Sequence, residues 1–232
     1  MTDGAVHLKK IERMNKSKIL IVTDSLGFPR SKPQLVRYEQ TWVTLLKHAC
    51  PQVDIIHHGR GGATLRELCG HAQYYFGTTD PDLVIIQSGI VDCAPRAMHP
   101  IERMIVNRLP GFIGQTIQRN AKALRRIRNI QYCPPKQFSE HVEKIEAAFG
   151  QVLWLGIAPV HRDWEHLVPG ICQAIAGHNA ILQKQSFLSL SDLSEADIME
   201  DHHHLTAAGH ARVAEWLKAH PALTRFVSEA IR

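Results

Sequence analysis

Apolar and polar positions along this chain group into blocks rather than alternating residue by residue. Five short runs, 18–23 (KILIVT), 53–57 (VDIIH), 82–87 (DLVIIQ), 152–158 (VLWLGIA) and the weaker 186–190 (SFLSL), are apolar or β-branched and end at Gly, Ser, Pro or Asp. The segments between them carry the 3.6-residue period of helices. In 35–49, Leu35, Tyr38, Trp42, Leu45, Leu46 and Ala49 share one face, and in 63–76 Leu65, Leu68, Ala72 and Phe76 do the same. Residues 170–185 and 206–219 repeat the pattern. Strands that are apolar on both faces and alternate with helices predict an α/β fold with a parallel sheet covered on both sides. Ligands of such sheets bind outside the carboxyl ends of the strands. The informative residues are therefore Asp24 and Ser25, His57 to Gly62, Ser88 to Asp92, and Pro159 to Asp163. Residues 100–149 are too many for one crossover. They read as an inserted helical pair ending near Pro134 and Pro135, followed by a helix around 138–149, within a single domain spanning 1–232.

Composition narrows this picture without changing it. With 232 residues, 44% hydrophobic and 21% charged, the chain has the make-up of a globular protein with a full core. It contains no apolar run of about 18 residues, which argues against a membrane-spanning helix. The first residues, MTDGAVHLKKIERMNKSK, lack the apolar centre of a secretory signal and read as a polar lead-in. Five scattered cysteines (Cys50, Cys69, Cys93, Cys133, Cys172) without a CxxC pair predict reduced thiols and a cytoplasmic location. Cys93, beside a strand-end motif, is the one not read as an inert core residue. The net charge of +5 is concentrated: from His99 to Lys136 there are eight Lys or Arg and one acid, Glu102.

Two strand-end motifs carry candidate chemistry. "KILIVTDSLGFPR" (18–30) ends a strand on an acid, a serine and a glycine; "MEDHHHLTAAGHARVAEWL" places Asp201 three residues before His204, ahead of a helix for which Thr206 is a natural cap. In that turn the aspartate can fold back on the imidazole and fix its tautomer, and the imidazole can take the proton of a serine that is otherwise a poor nucleophile. At these residues the chain resembles the SGNH/GDSL hydrolase (esterase) family. Thr23-Asp24-Ser25-Leu26 is similar to the family's first block, with Thr23 in place of its glycine, and Asp201-His202-His203-His204-Leu205 to its last. The resemblance, covering about Lys18 to Leu217, implies Ser25 as nucleophile, His204 as general base and Asp201 as third member of a triad. Gly59 to Thr64 is similar to the second block, which implies an oxyanion hole formed by the N–H groups of Ser25 and Gly62. Gly89-Ile90-Val91-Asp92 is similar to the third block, but valine replaces the asparagine whose side chain supplies another oxyanion donor. Loss of one such donor typically lowers the rate by about 10²–10³-fold. The resemblance also implies a three-layer α/β/α sandwich, flavodoxin-like, with a five-stranded sheet in the order 2-1-3-4-5. Asn179, in "GHNAILQ" before the last strand, is assigned a structural role.

Four arginines, Arg30, Arg37, Arg60 and Arg96, fall where they would face the cleft. Arg60 and Arg96 follow their strand ends most closely and, with Asp92, are assigned to substrate contact. The histidine triplet lacks the spacing of a metal site, so no metal or other cofactor is expected, and His202 and His203 read as exposed loop residues. The basic segment 103–136 reads as a solvated face, a lid, a groove for an acidic glycan or a contact with a membrane surface. Nucleic acid is not expected as a partner, because no aromatic stacking position lies between Phe112 and Tyr132. The expected activity is removal of an acyl group, O-acetyl in the first instance, from a carbohydrate or glycan precursor that is a small-molecule or glycan ester, anionic if the arginines bind it. Transfer of the same acyl group to a sugar, and a catalytically weak glycan-binding protein, are the alternatives.

Overall fold

The computed structural model describes residues 16–128 and 130–230. The polar lead-in before residue 16 and the side chains of Ala72 and Phe76 lie outside the described residues. Five strands, β1 (Lys18–Thr23), β2 (Asp54–Gly59), β3 (Leu83–Gln87), β4 (Val152–Leu155) and β5 (Phe187–Leu188), form one all-parallel sheet in the order β2-β1-β3-β4-β5. The central strands are buried on both faces, which is why they read as unbroken apolar runs: Ile19 to Val22, Val84 to Ile86, and Leu153 to Leu155 are all sealed from water. Each such Ile or Leu contributes about 1.5–3 kcal/mol on burial. Trp42, Phe138 and Trp154 are the largest fully buried side chains, and they join the strands to the flanking helices.

The helices Leu65–Thr79, Pro135–Phe149, Ile171–Leu182 and Ala207–Ala219 lie close to the expected spans. Residues 35–41 do not. Leu35 and Tyr38 are 60% and 53% exposed, and the α-helix begins only at Trp42, where Thr41 Oγ1 accepts the Thr44 N–H. An antiparallel bridge between Arg30 and Val36 holds the preceding chain as a folded-back loop, which the helical period of 35–49 concealed. The insertion is also different from the expected pair: three short helices, Pro100–Val106, Gly111–Arg119 and Ala121–Arg128, precede the crossover helix Pro135–Phe149. A further helix, Pro221–Ala230, follows the last expected one. Asn179 clamps the chain beyond β4, accepting the Ile157 N–H (2.8 Å) and donating to the Ile157 carbonyl (3.0 Å).

Candidate active site

The carboxyl end of β1 is held from both sides. The Asp24 N–H donates to the Gln87 carbonyl at the end of β3, and the Arg60 N–H donates to the Thr23 carbonyl from beyond β2. The chain then turns through a short 3-10 helix, Ser25–Gly27, capped by Asp24, whose Oδ1 accepts the Leu26 N–H at 2.9 Å. This places Ser25 at the rim of the sheet, half-buried. Thr23, standing where the family has glycine, binds His57 through Oγ1 and Nε2 at 2.8 Å.

On the facing side, residues 198–205 form a tight turn closed by a bridge between Ile198 and Leu205. His204 is buried at its end. Its Nδ1 lies 2.8 Å from Asp201 Oδ2, its backbone N–H donates to Asp201 Oδ1 at 3.1 Å, and its Nε2 lies 2.9 Å from Ser25 Oγ. The arrangement corresponds to a tautomer with the proton on Nδ1, donated to the carboxylate, and a lone pair on Nε2 facing the serine hydroxyl. Burial alone would push the Asp201 carboxyl up; the hydrogen bonds from the His204 ring and backbone hold it well below the usual carboxylate range instead. Thr206 then caps the helix Ala207–Ala219, with Oγ1 accepting the Gly209 N–H.

The loop after β2 lies directly against the nucleophile, for a Cβ added to Gly61 would sit 3.9 Å from that of Ser25. Gly62 has φ +72°, a left-handed conformation that favours glycine. The N–H groups of Ser25 and Gly62 donate to no acceptor among the described residues, which leaves both for a ligand oxygen. At the third block, Gly89 (φ +126°) makes the sharp turn out of β3, and a Cβ there would meet Ile157 Cδ1 at 2.5 Å. Val91 is half-buried against the core and offers no donor from its side chain.

Of the residues assigned to substrate contact, Asp92 is not placed as expected. Asp92 is fully buried, and both its carboxylate oxygens accept the Leu65 N–H at the start of the helix Leu65–Thr79 (3.1 and 3.0 Å). It pins that helix rather than facing the cleft, and burial, reinforced by nearby Asp24, pushes its carboxyl up to about 7. Arg60 is an exposed arginine 3.7 Å from Glu67. Arg96 turns away into the insertion, with Nη2 donating to the Val91 carbonyl at 3.3 Å. Cys93 is buried, and burial pushes its thiol up far beyond the nucleophilic range.

Arg30 is the arginine that reaches the site. Its guanidinium Nη2 contacts His204 Nε2, and its Nε is buried without a partner. The sequence signal was weak, because Arg30 follows no strand directly and depends on the 30–36 loop for its position. His202 and His203 are half-buried rather than exposed. His202 has φ +74°, and its carbonyl accepts the His161 N–H. His203 stacks flat on Trp164 (4.7 Å, 9°) and packs against the His204 ring at 4.0 Å. Burial, and after it the neighbouring His204, lowers its pKa to about 4. Asp201, His203 and His204 have ligand atoms within 4.8 Å of one another, but the closest pair, Asp201 Oδ2 and His204 Nδ1, already satisfy each other.

No protein-family model and no curated protein matches the chain. Solved structures do. A lipase/acylhydrolase from Enterococcus faecalis is similar over 89% of this chain and 95% of its own, with a TM-score of 0.63 and 14% identity. A member of the lipolytic protein G-D-S-L family from Veillonella parvula is similar over 88% of this chain and 97% of its own (TM-score 0.53, 12% identity). The chain has the SGNH hydrolase fold. An acetyl xylan esterase from Geobacillus stearothermophilus, also similar, is covered over 96% of its length by 90% of this chain, with a TM-score of 0.55 and 16% identity.

Proposed function

We propose that this protein is an SGNH-type serine esterase that removes an acyl group, O-acetyl in the first instance, from a carbohydrate or glycan precursor. The observation that carries the reading is the unbroken relay from Asp201 through His204 to Ser25, at the carboxyl end of the sheet. Ser25 Oγ attacks the ester carbonyl as His204 Nε2 takes its proton. The N–H groups of Ser25 and Gly62 hold the oxyanion, and Asp201 stabilises the imidazolium. Collapse breaks the ester C–O bond, the leaving sugar hydroxyl takes the proton from His204, and the acyl group remains on Ser25. Water, deprotonated by His204, then releases the acid and restores the serine. The choice of an acetylated carbohydrate draws support from two similar structures that are acetyl xylan esterases.

Labelling with a fluorophosphonate, followed by mass spectrometry of the adduct, tests the nucleophile. The expected adduct is on Ser25, and Ser25→Ala loses both label and esterase activity with little change in melting temperature. Wild-type protein that takes up no probe at Ser25 would overturn the reading.

A further inference from the structure

The three short helices of the insertion, with residues 96–98 and Tyr132, line an open cavity of about 390 Å³. Its charged lining is of one sign. Arg96, Arg103 and Arg125 line it, with Asn107, Gln118 and Tyr132 as neutral polar neighbours and no carboxylate. Four other arginines of the described chain pair with acids: Arg60 with Glu67, Arg128 with Glu102, Arg162 with Glu195, and Arg212 with Asp197. The three in the cavity do not.

Two of them are built into place. The Arg96 N–H donates to the Ile130 carbonyl (2.8 Å), its Nη2 to the Val91 carbonyl, and its guanidinium lies 4.8 Å from the centre of the Tyr132 ring. Arg125 Nη1 donates to the Leu167 carbonyl at 2.8 Å. The Nε–H groups of Arg96 and Arg125 are buried and donate to nothing among the described residues. Burial holds the Arg96 guanidinium below its usual range against the opposing Tyr132 and Cys93, with smaller help from the charges of Arg125 and Arg103. Buried donors without acceptors, on cations that repel one another, are costly unless an anion completes the site.

We propose that this cavity binds a phosphate group, and that this group belongs to the ester substrate whose acyl end reaches Ser25; the second part rests on the esterase reading. Three guanidiniums offer more forked donors than a single carboxylate can accept, whereas a phosphate has the oxygens and charge to engage them together. The cavity is in the size range of small-ligand sites. It is also tied to the catalytic end of the sheet, because Arg96 hangs from Val91, in the turn at the end of the strand next to that of Ser25.

The test measures binding of inorganic phosphate by calorimetry at constant ionic strength, with chloride as the control anion. Wild-type protein and Ser25→Ala should bind phosphate alike. Arg103→Gln, a change at an exposed position that leaves the core intact, should weaken binding at least about tenfold, as expected for loss of one charge-assisted contact. Two further arms identify the source of the phosphate. Glucose 1-phosphate binding that depends on Arg103 assigns a soluble sugar phosphate. Phosphatidylglycerol vesicle binding that depends on Arg103 assigns a lipid headgroup. With an O-acetylated glucose 1-phosphate as substrate, Arg103→Gln should raise KM more than it does for p-nitrophenyl acetate. Phosphate that binds Arg103→Gln as tightly as wild type, or fails to bind wild type, would overturn the site. Phosphate binding without turnover of any ester would overturn the esterase reading while leaving the site intact.

Discussion

At the scale of single residues, His204 Nε2 faces two donors, the Ser25 hydroxyl and the Arg30 guanidinium. A neutral imidazole has one lone pair there, so the two compete for it. In the proposed mechanism an imidazolium formed when His204 takes the serine proton would repel Arg30, freeing its guanidinium for the negative charge developing on the substrate. With Val91 supplying no side-chain donor, Arg30 is proposed here as the cation that completes the oxyanion hole. Arg30→Met is therefore expected to lower kcat on p-nitrophenyl acetate by about 10²-fold, and Val91→Asn in that background to restore part of the loss. An unchanged kcat in Arg30→Met would remove Arg30 from the reaction. The histidine triplet separates in the same assay. His204→Ala should lose far more activity than His202→Ala, and His203→Phe should retain most of it, because His203 acts by packing between Trp164 and His204. Added zinc should inhibit rather than activate, since ligation would take Asp201 and His204 from the relay; stimulation by zinc would reverse that assignment.

At the scale of elements, the strands were legible because two-faced burial leaves its mark in each local run, and the grouping of Ser25, His204 and Asp201 because they sit at a strand end and in one short turn. What was hidden depended on contacts distant in sequence. The bridge between Arg30 and Val36, itself local, unmakes the expected start of a helix, and it carries Arg30 to His204, 174 positions away. Likewise Asp92 looked like a cleft residue until its carboxylate met the Leu65 N–H, 27 positions away. The insertion shows a further property of an element taken whole. Ile101, Met104, Ile105, Leu109, Phe112 and Ile127 are all exposed there, Phe112 by 67% and Ile127 by 81%, among basic residues. Like charge disfavours a second copy on this face, whereas an anionic membrane surface matches both the charge and the apolar side chains. The protein is expected to sediment with phosphatidylglycerol vesicles at low salt and not with phosphatidylcholine. The double substitution Phe112→Ser and Ile127→Ser should release it. Equal sedimentation of wild type and double variant would place any contact elsewhere.

For the whole molecule, the buried titratable groups set how stability responds to pH. Burial holds His57, His203 and His210 down to about 4, and pushes Asp24 up to about 6 and Asp92 up to about 7. The two sets act in opposite directions. As pH falls from 8 to 6.5, the folded state takes up a proton on Asp92, and begins to on Asp24, before the unfolded carboxylates do near 3.8. The three unfolded histidines, titrating at 6.5, take up about as many protons over the same interval, so stability stays nearly level down to about pH 7. Below the unfolded histidine value of 6.5, the unfolded chain takes up three protons that the folded one refuses until about 4. Stability then falls, by the excess of those three over the two carboxyl protons already held, about one proton per pH unit. His58 and His141, also lowered by burial, add to the fall. Urea midpoints measured from pH 8 to pH 4.5 are expected to stay nearly level down to about pH 7 and then to fall. Replacing both acids, Asp24→Asn with Asp92→Asn, keeps an acceptor for the Leu26 and Leu65 N–H groups and removes only the opposing protons. In that variant the fall should begin above pH 7, without the level stretch, and the acid limb should steepen by about two protons per pH unit. An acid limb with the same slope in variant and wild type would mean that the two carboxyls titrate in the folded state as they do in the unfolded chain.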